Sequence, residues 1–160
     1  MCAASHRPLT AAQAASACDV LGRMVPDDNC LRVFVTGNST LAPFVHGLKL
    51  ALLNCGYFAD VVEGEFDQWA QDMLEERSSL YTTRPSVVAL VLSAMGATAG
   101  GVRIDNALGD ALAMALPIFQ KLSSAKLVII LPEPLEEEID STSLFSKWRH
   151  DLISRVRSLA

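Results

Sequence analysis

Long apolar runs, clustered basic charge and closely spaced cysteines are all missing from this chain. No stretch of about 18 uninterrupted apolar residues occurs, so the 51% hydrophobic content and the mean hydropathy of +0.30 belong to a packed core rather than a bilayer span. Thirteen basic against 18 acidic residues give a net charge of -5. Without clustered Lys and Arg there is no electrostatic footprint for nucleic acid. The four cysteines, Cys2, Cys18, Cys30 and Cys55, form no Cys-x-x-Cys and no Cys/His set of zinc-site spacing. They read as free thiols of a reducing cytosol, and no metal or other cofactor is expected. After Met1 the chain has neither the charged segment nor the apolar segment of a secretion signal, which again points to a cytoplasmic location.

What is present is alternation. In 160 residues, the size of one domain with a proper core, short β-branched runs take turns with helical apolar stripes. After residues 1–9, expected to be flexible, a first helix is predicted from Thr10, with Ala17, Val20, Leu21 and Met24 on one face. A strand at Leu31 to Val35 runs into Thr36-Gly37-Asn38-Ser39-Thr40, and a helix follows with Leu41, Phe44, Val45, Leu48 and Leu52 on its stripe, closing at Asn54-Cys55-Gly56. Tyr57 to Val62 is a second strand. A helix marked by Phe66, Trp69, Ala70, Met73 and Leu74 comes next.

The run Val87 to Leu92 is apolar on both faces, as a central parallel strand is. Beyond a Gly- and Ala-rich loop, a helix from about Asp105 is expected to kink or restart at Pro117. Lys126 to Leu131 is a fourth strand, and a last helix aligns Phe145, Trp148, Leu152 and Val156. Such alternation requires crossovers, which predicts a three-layer, doubly wound, flavodoxin-like α/β domain. Its mostly parallel sheet has four or five strands with helices on both faces. Ligand sites in such sheets lie at the carboxyl ends of the strands, where the strand order reverses. The loops beginning at Thr36, Glu63, Ser93 and Pro132 are therefore the ones that matter.

The block Gly37-Asn38-Ser39-Thr40-Leu41 sits between a strand and a helix. A serine there is placed at a helix N-terminus, where backbone N–H groups favour a developing oxyanion. The same serine, or Thr40, is also a natural helix cap. A nucleophile needs a base, and the chain offers three histidines: His6, His46 and His150. Asp67 and Gln68, before the helix at Trp69, and Tyr81 are polar groups able to reach toward the strand ends and bond a ligand or partner. In the alternative reading Asp67 complements the helix dipole and Trp69 fills core. Neither a phosphate-binding glycine motif nor any internal repeat is formed.

The block resembles the Gly-Asp-Ser-Leu nucleophile motif of SGNH hydrolases, with Asn38 in place of the aspartate. That family supplies its base from Asp-x-x-His near the end of the domain. Here Lys147-Trp148-Arg149-His150 stands there, and Ser93-Ala94-Met95-Gly96 replaces the family's Gly-x-Asn-Asp block. The similarity is greater to the amino-terminal, SGNH-hydrolase-like region of FkbH-like proteins. It rests on Gly37-Asn38-Ser39-Thr40 with Leu41-Ala42-Pro43, on Glu63 to Trp69, on Ser78-Ser79-Leu80-Tyr81 and on Arg84-Pro85-Ser86-Val87-Val88. These matches run through residues 31–93.

In that family the carboxyl-terminal half is haloacid-dehalogenase-like and is associated with dephosphorylating a glyceryl phosphate donor and loading the glyceryl unit on an acyl carrier protein. The resemblance therefore implies a single SGNH-like module over residues 1–160, separated from its dehalogenase-like half, in a polyketide-type assembly line. It implies an acyl carrier protein or that dehalogenase-like domain as partner, with Gly37, Asn38, Thr40, Asp67, Gln68 and Tyr81 as contact residues. A hydrolase or acyltransferase built on Ser39 and His150, and a purely structural docking domain, are the competing expectations. The chain contains no Asp-x-Asp nucleophile of the dehalogenase kind.

Overall fold

The computed structural model describes residues 30–93 and 106–131, together with Gln13, Ser16, Val20, His150, Ile153, Ser154 and Arg157, each of which is helical. Most of the expected first and last helices, the loop 94–105 and the acidic loop after Leu131 lie outside the described residues.

Four strands form one all-parallel sheet in the order β2-β1-β3-β4: β1 Leu31–Gly37, β2 Ala59–Glu63, β3 Val87–Val91 and β4 Lys126–Ile130. The helices between them are α1 Ala42–Asn54, α2 Trp69–Leu74, α3 Ser79–Thr82 and α4 Asn106–Leu122. This is the expected three-layer, flavodoxin-like α/β fold. The apolar run at Val87 makes an inner strand, flanked by β1 and β4.

Period-two alternation in β1 separates two cores. Val33 and Val35, with Val61, Ala89 and Val91, pack against Leu41 and Val45 on the side of α1. Phe34, with Val88, Leu90 and Leu92, packs against Trp69, Met73 and Leu80 and against Leu112, Leu116 and Phe119 of α4 on the other side. Each fully buried Val, Leu or Phe contributes roughly 1.5–3 kcal/mol relative to exposure. The two-sided burial of β1 and β3 is thus the main anchor of the strand ends that carry the candidate site.

Three local expectations are corrected. The helix containing Pro117 is not interrupted, since α4 runs through it from Asn106 to Leu122. Its buried residues Leu112, Ala115, Leu116 and Phe119 hold both halves to the sheet, which offsets the one lost hydrogen bond. The helix after β2 begins only at Trp69, and Phe66, expected on its apolar stripe, is 65% exposed in the preceding loop. Neither Ser39 nor Thr40 caps α1. The N-cap position is Leu41, without any side-chain cap, and a proline in the first turn removes one of the N–H groups that would need one. Burial of Leu41 in the core fixes where the helix starts.

Candidate functional site at the strand ends

The carboxyl ends of β1 and β3 converge because Gly37 has no side chain. A Cβ at Gly37 would overlap the carbonyl oxygen of Val91, so only glycine permits this approach. The Asn38 N–H then donates to that same oxygen at 3.3 Å. Beyond it the Asn38 side chain continues the ladder: Nδ2 donates to the Ser93 carbonyl at 2.9 Å, and Oδ1 accepts from the Ser93 N–H at 2.7 Å. The amide acts as one more rung between the ends of β1 and β3. An aspartate cannot substitute, because a carboxylate has no donor for the Ser93 carbonyl. The departure from the SGNH motif at this position thus has a structural reason in this chain.

Ser39 follows this clamp half-buried, and its hydroxyl forms no hydrogen bond with the described residues. Thr40 is exposed. His46 is exposed on the outer face of α1, where it lines a groove of about 490 Å³ with Ala42, Pro43, Gly47 and Leu50. His150 is exposed and helical, and His6 lies outside the described residues.

The loop after β2 is held to β1 by its backbone. Gly64 N–H donates to the Val35 carbonyl at 2.8 Å, and Asp67 N–H to the Gly37 carbonyl at 3.2 Å. Asp67 has a left-handed backbone, with φ of 56°, costly for a residue with a Cβ. Its side chain and that of Gln68 are exposed. Tyr81 does not join them. It sits on α3, which leads into the amino end of β3, and its hydroxyl donates to the Met73 carbonyl at 2.6 Å. Its ring lies 6.5 Å from that of Phe119, and burial pushes its phenol above the ordinary value. The structure therefore brings Gly37, Asn38, Ser39 and Asp67 together and leaves Tyr81 as a fastener between helices.

Three features of the site are absent from the sequence-based set. Ser93 is the backbone partner of Asn38. Thr36, fully buried, keeps its Oγ1 without a hydrogen-bond partner. It points at Gly64, where an added Cβ would meet Thr36 Oγ1 and the Phe34 ring at 3.1 Å. Asp72 on α2 has its Oδ2 buried and unpartnered. Burial, then the nearby charges of Glu65 and Glu75, hold its carboxyl above the ordinary carboxylate range. A polar residue within a β-branched run was the visible signal for Thr36. The environment of Asp72 had none, because it depends on how the loop before α2 folds back. Among the described residues no group of acidic, Cys or His side chains could hold a metal ion, and no helix is long and apolar enough to cross a membrane.

No protein-family model and no curated protein matches the sequence. Among solved structures the chain is similar to the N-terminal part of the protein BF1531 from Bacteroides fragilis, described as containing a phosphatase domain and complexed with Mg. The similarity covers 94% of this chain at 14% identity, with a TM-score of 0.62. The chain spans 41% of the length of that structure. At this identity the likeness is one of fold, and it agrees with the three-layer parallel architecture described above.

Proposed function

We propose that the chain is a non-hydrolytic, SGNH-like module that works beside a dehalogenase-like phosphatase domain and supports glyceryl transfer to an acyl carrier protein. The observation that carries this reading is the Asn38 clamp. In a serine hydrolase the loops at this point must leave backbone donors open for an oxyanion and a base beside the serine. Here the polar group next to Ser39 is spent joining β1 to β3, and the four residues ending at His150 lack the acid of an Asp-x-x-His. The fold neighbour lends further support, being a larger chain with a phosphatase domain. In this arrangement the module positions an acyl or carrier surface with Thr40, Asp67 and Gln68, Asn38 holding the loop that carries Thr40, while the partner domain performs the phosphoryl chemistry through its own aspartate.

The test is a carrier-protein loading assay read by intact mass. It compares this chain alone, the dehalogenase-like domain alone, and the two joined. Loading only by the joined protein is expected. Loading by the isolated chain would overturn the proposal, and equal loading with and without the module would reduce it to a passive scaffold. A second reading, acyl hydrolysis or transfer through Ser39, draws on the hydroxyl's freedom from other hydrogen bonds. Stoichiometric labelling of Ser39 by a fluorophosphonate would establish it over the first.

A further inference from the structure

We infer that the amino end of the sheet carries a binding site for a small zwitterion, a free α-amino acid, held between Arg32 and Asp60. These two residues are register partners on β1 and β2, so their side chains rise side by side from strands about 4.8 Å apart. Phe34 and Val62, two residues further along each strand, belong to the core beneath α2 and α4. Alternation therefore puts the guanidinium and the carboxylate on that same face, at the end of the sheet opposite the Asn38 clamp. Opposite charges so placed ordinarily close on each other. Here neither makes an ion pair or a hydrogen bond with the described residues. They open instead onto a cleft of about 280 Å³ shared with Val62, Thr82, Thr83 and Pro85.

The chemistry of the lining selects the guest. Arg32 supplies a fork of N–H donors and no acceptor, whereas Asp60 supplies acceptors alone. The Thr82 hydroxyl donates to the Ser78 or Ser79 carbonyl and the Thr83 hydroxyl to that of Leu80, so each keeps only lone pairs for a ligand. The cleft thus offers a guanidinium to a carboxylate, and a carboxylate with two hydroxyl oxygens to an ammonium. A molecule bearing both groups on one carbon satisfies the two charges at once, while a simple anion or cation leaves one unmatched. Drug-sized ligands fill about 300–1,000 Å³, so this smaller space takes a short side chain set against Val62 and Pro85. A backbone feature independent of the charges marks the same wall. Arg84, between Thr83 and Pro85, has φ of 49°, costly for a residue with a Cβ and far from the extended backbone preferred before proline. Two bonds hold it there: Arg84 N–H donates to the Tyr81 carbonyl at 3.2 Å, and Ser86 N–H to the Arg32 carbonyl at 2.9 Å. The strained wall is thereby fixed to the residue that carries the guanidinium, which makes the cleft pre-formed. This inference draws nothing from the glyceryl-transfer reading and stands or falls separately from it.

The experiment is an NMR titration of the full chain with L-leucine, N-acetyl-L-leucine and L-leucinamide. L-Leucine should bind saturably, with half-saturation on the order of 1 mM for so small and open a site. Its shift changes should centre on Arg32, Asp60 and Thr82 to Ser86. The acetylated analogue lacks the ammonium and the amide lacks the carboxylate, so each should bind about tenfold more weakly or worse. Arg32→Gln and Asp60→Asn should weaken L-leucine binding by a similar factor at unchanged melting temperature, because both side chains are exposed. Absence of saturable binding, equal binding of either blocked analogue, shift changes on another face, or full affinity in either variant would overturn the proposal. So would non-additive losses of melting temperature in the two single variants and their double, which would make the charges a closed cross-strand ion pair.

Discussion

The loops that follow β1 and β2 stand side by side at the carboxyl end of the sheet and treat their polar groups in opposite ways. After β1, the close approach at Gly37, the Asn38 N–H and the Asn38 side-chain amide join β1 to β3. After β2, the chain adopts a left-handed residue at Asp67, exposes Phe66, and leaves Oδ2 of Asp72 buried without a partner. The first loop is built for rigidity and the second retains unspent interaction. Within the Gly37–Thr40 block it is the Asn38 side chain that the fold takes up.

The largest effect on this contrast is expected from Gly37→Ala. The new methyl group overlaps the Val91 carbonyl oxygen, which is backbone between two fully paired strands and cannot move aside alone. Separation of β1 from β3 at that point should cost on the order of 3 kcal/mol or more. Urea denaturation should show a greatly lowered midpoint or no folded protein. Gly64→Ala provides the control on the β2 side: its Cβ meets flexible atoms, the Phe34 ring edge and the Thr36 hydroxyl, so its cost should be clearly smaller.

Next in size is Asn38. Replacement by Ala removes two hydrogen bonds to the Ser93 backbone, and at about 1 kcal/mol each the loss should be roughly 2 kcal/mol. Asn38→Asp is the sharper variant. The carboxylate keeps an acceptor for the Ser93 N–H but turns its second oxygen toward the Ser93 carbonyl, so the variant should be less stable at neutral pH than in mild acid, where protonation restores a donor. Equal stability of the Asp and Asn proteins at pH 7, by chemical denaturation, would show that the clamp is not what holds the two loops.

Asp72→Asn should have a smaller effect with a definite sign. The native carboxyl is held above the ordinary value by desolvation first, and by Glu65 and Glu75 second. The folded state then binds a proton more readily than the unfolded one, and stability falls as pH rises through the window between the two values. Above that window the amide variant should be the more stable protein, by less than about 1 kcal/mol given the exposure of the site. Below the ordinary carboxylate range the two should coincide. A pH series of melting temperatures checks both halves.

The parts of this fold that were legible in the sequence are those set by periodicity. Val87 to Leu92 announced an inner parallel strand, and the placement of Phe34 and Val35 on opposite faces follows from alternation alone. The parts that were not legible depend on contacts between distant segments. Asn38 was visible as a polar residue at a strand end, but its partner Ser93 is 55 residues away, and no local pattern names it. Tyr81 was assigned to the strand ends from sequence, whereas packing against Phe119 and the Met73 carbonyl takes it between helices. Phe66 obeys helical spacing with Trp69 and Met73, yet the backbone bonds from Gly64 and Asp67 to β1 hold the chain out of helix until Trp69.

The smallest effect is expected at the residue most suggestive of catalysis. Ser39 is half-buried, does not cap α1, and shares no hydrogen bond with the described residues, so removing its hydroxyl leaves no polar group stranded. Ser39→Ala should change stability by no more than about 0.5 kcal/mol, as for substitutions away from packed or bonded positions. Reactivity follows the same reasoning. A serine hydroxyl attacks only when a base takes its proton, and His46 is committed to the outer face of α1. Incubation with a fluorophosphonate and intact-mass analysis should therefore detect no adduct. An adduct that vanishes in Ser39→Ala, and in His150→Ala as well, would mean that the last helix brings its histidine to the β1 loop. The Asn38 clamp would then be the rigid floor of an active site, and the contrast between the two loops would reverse.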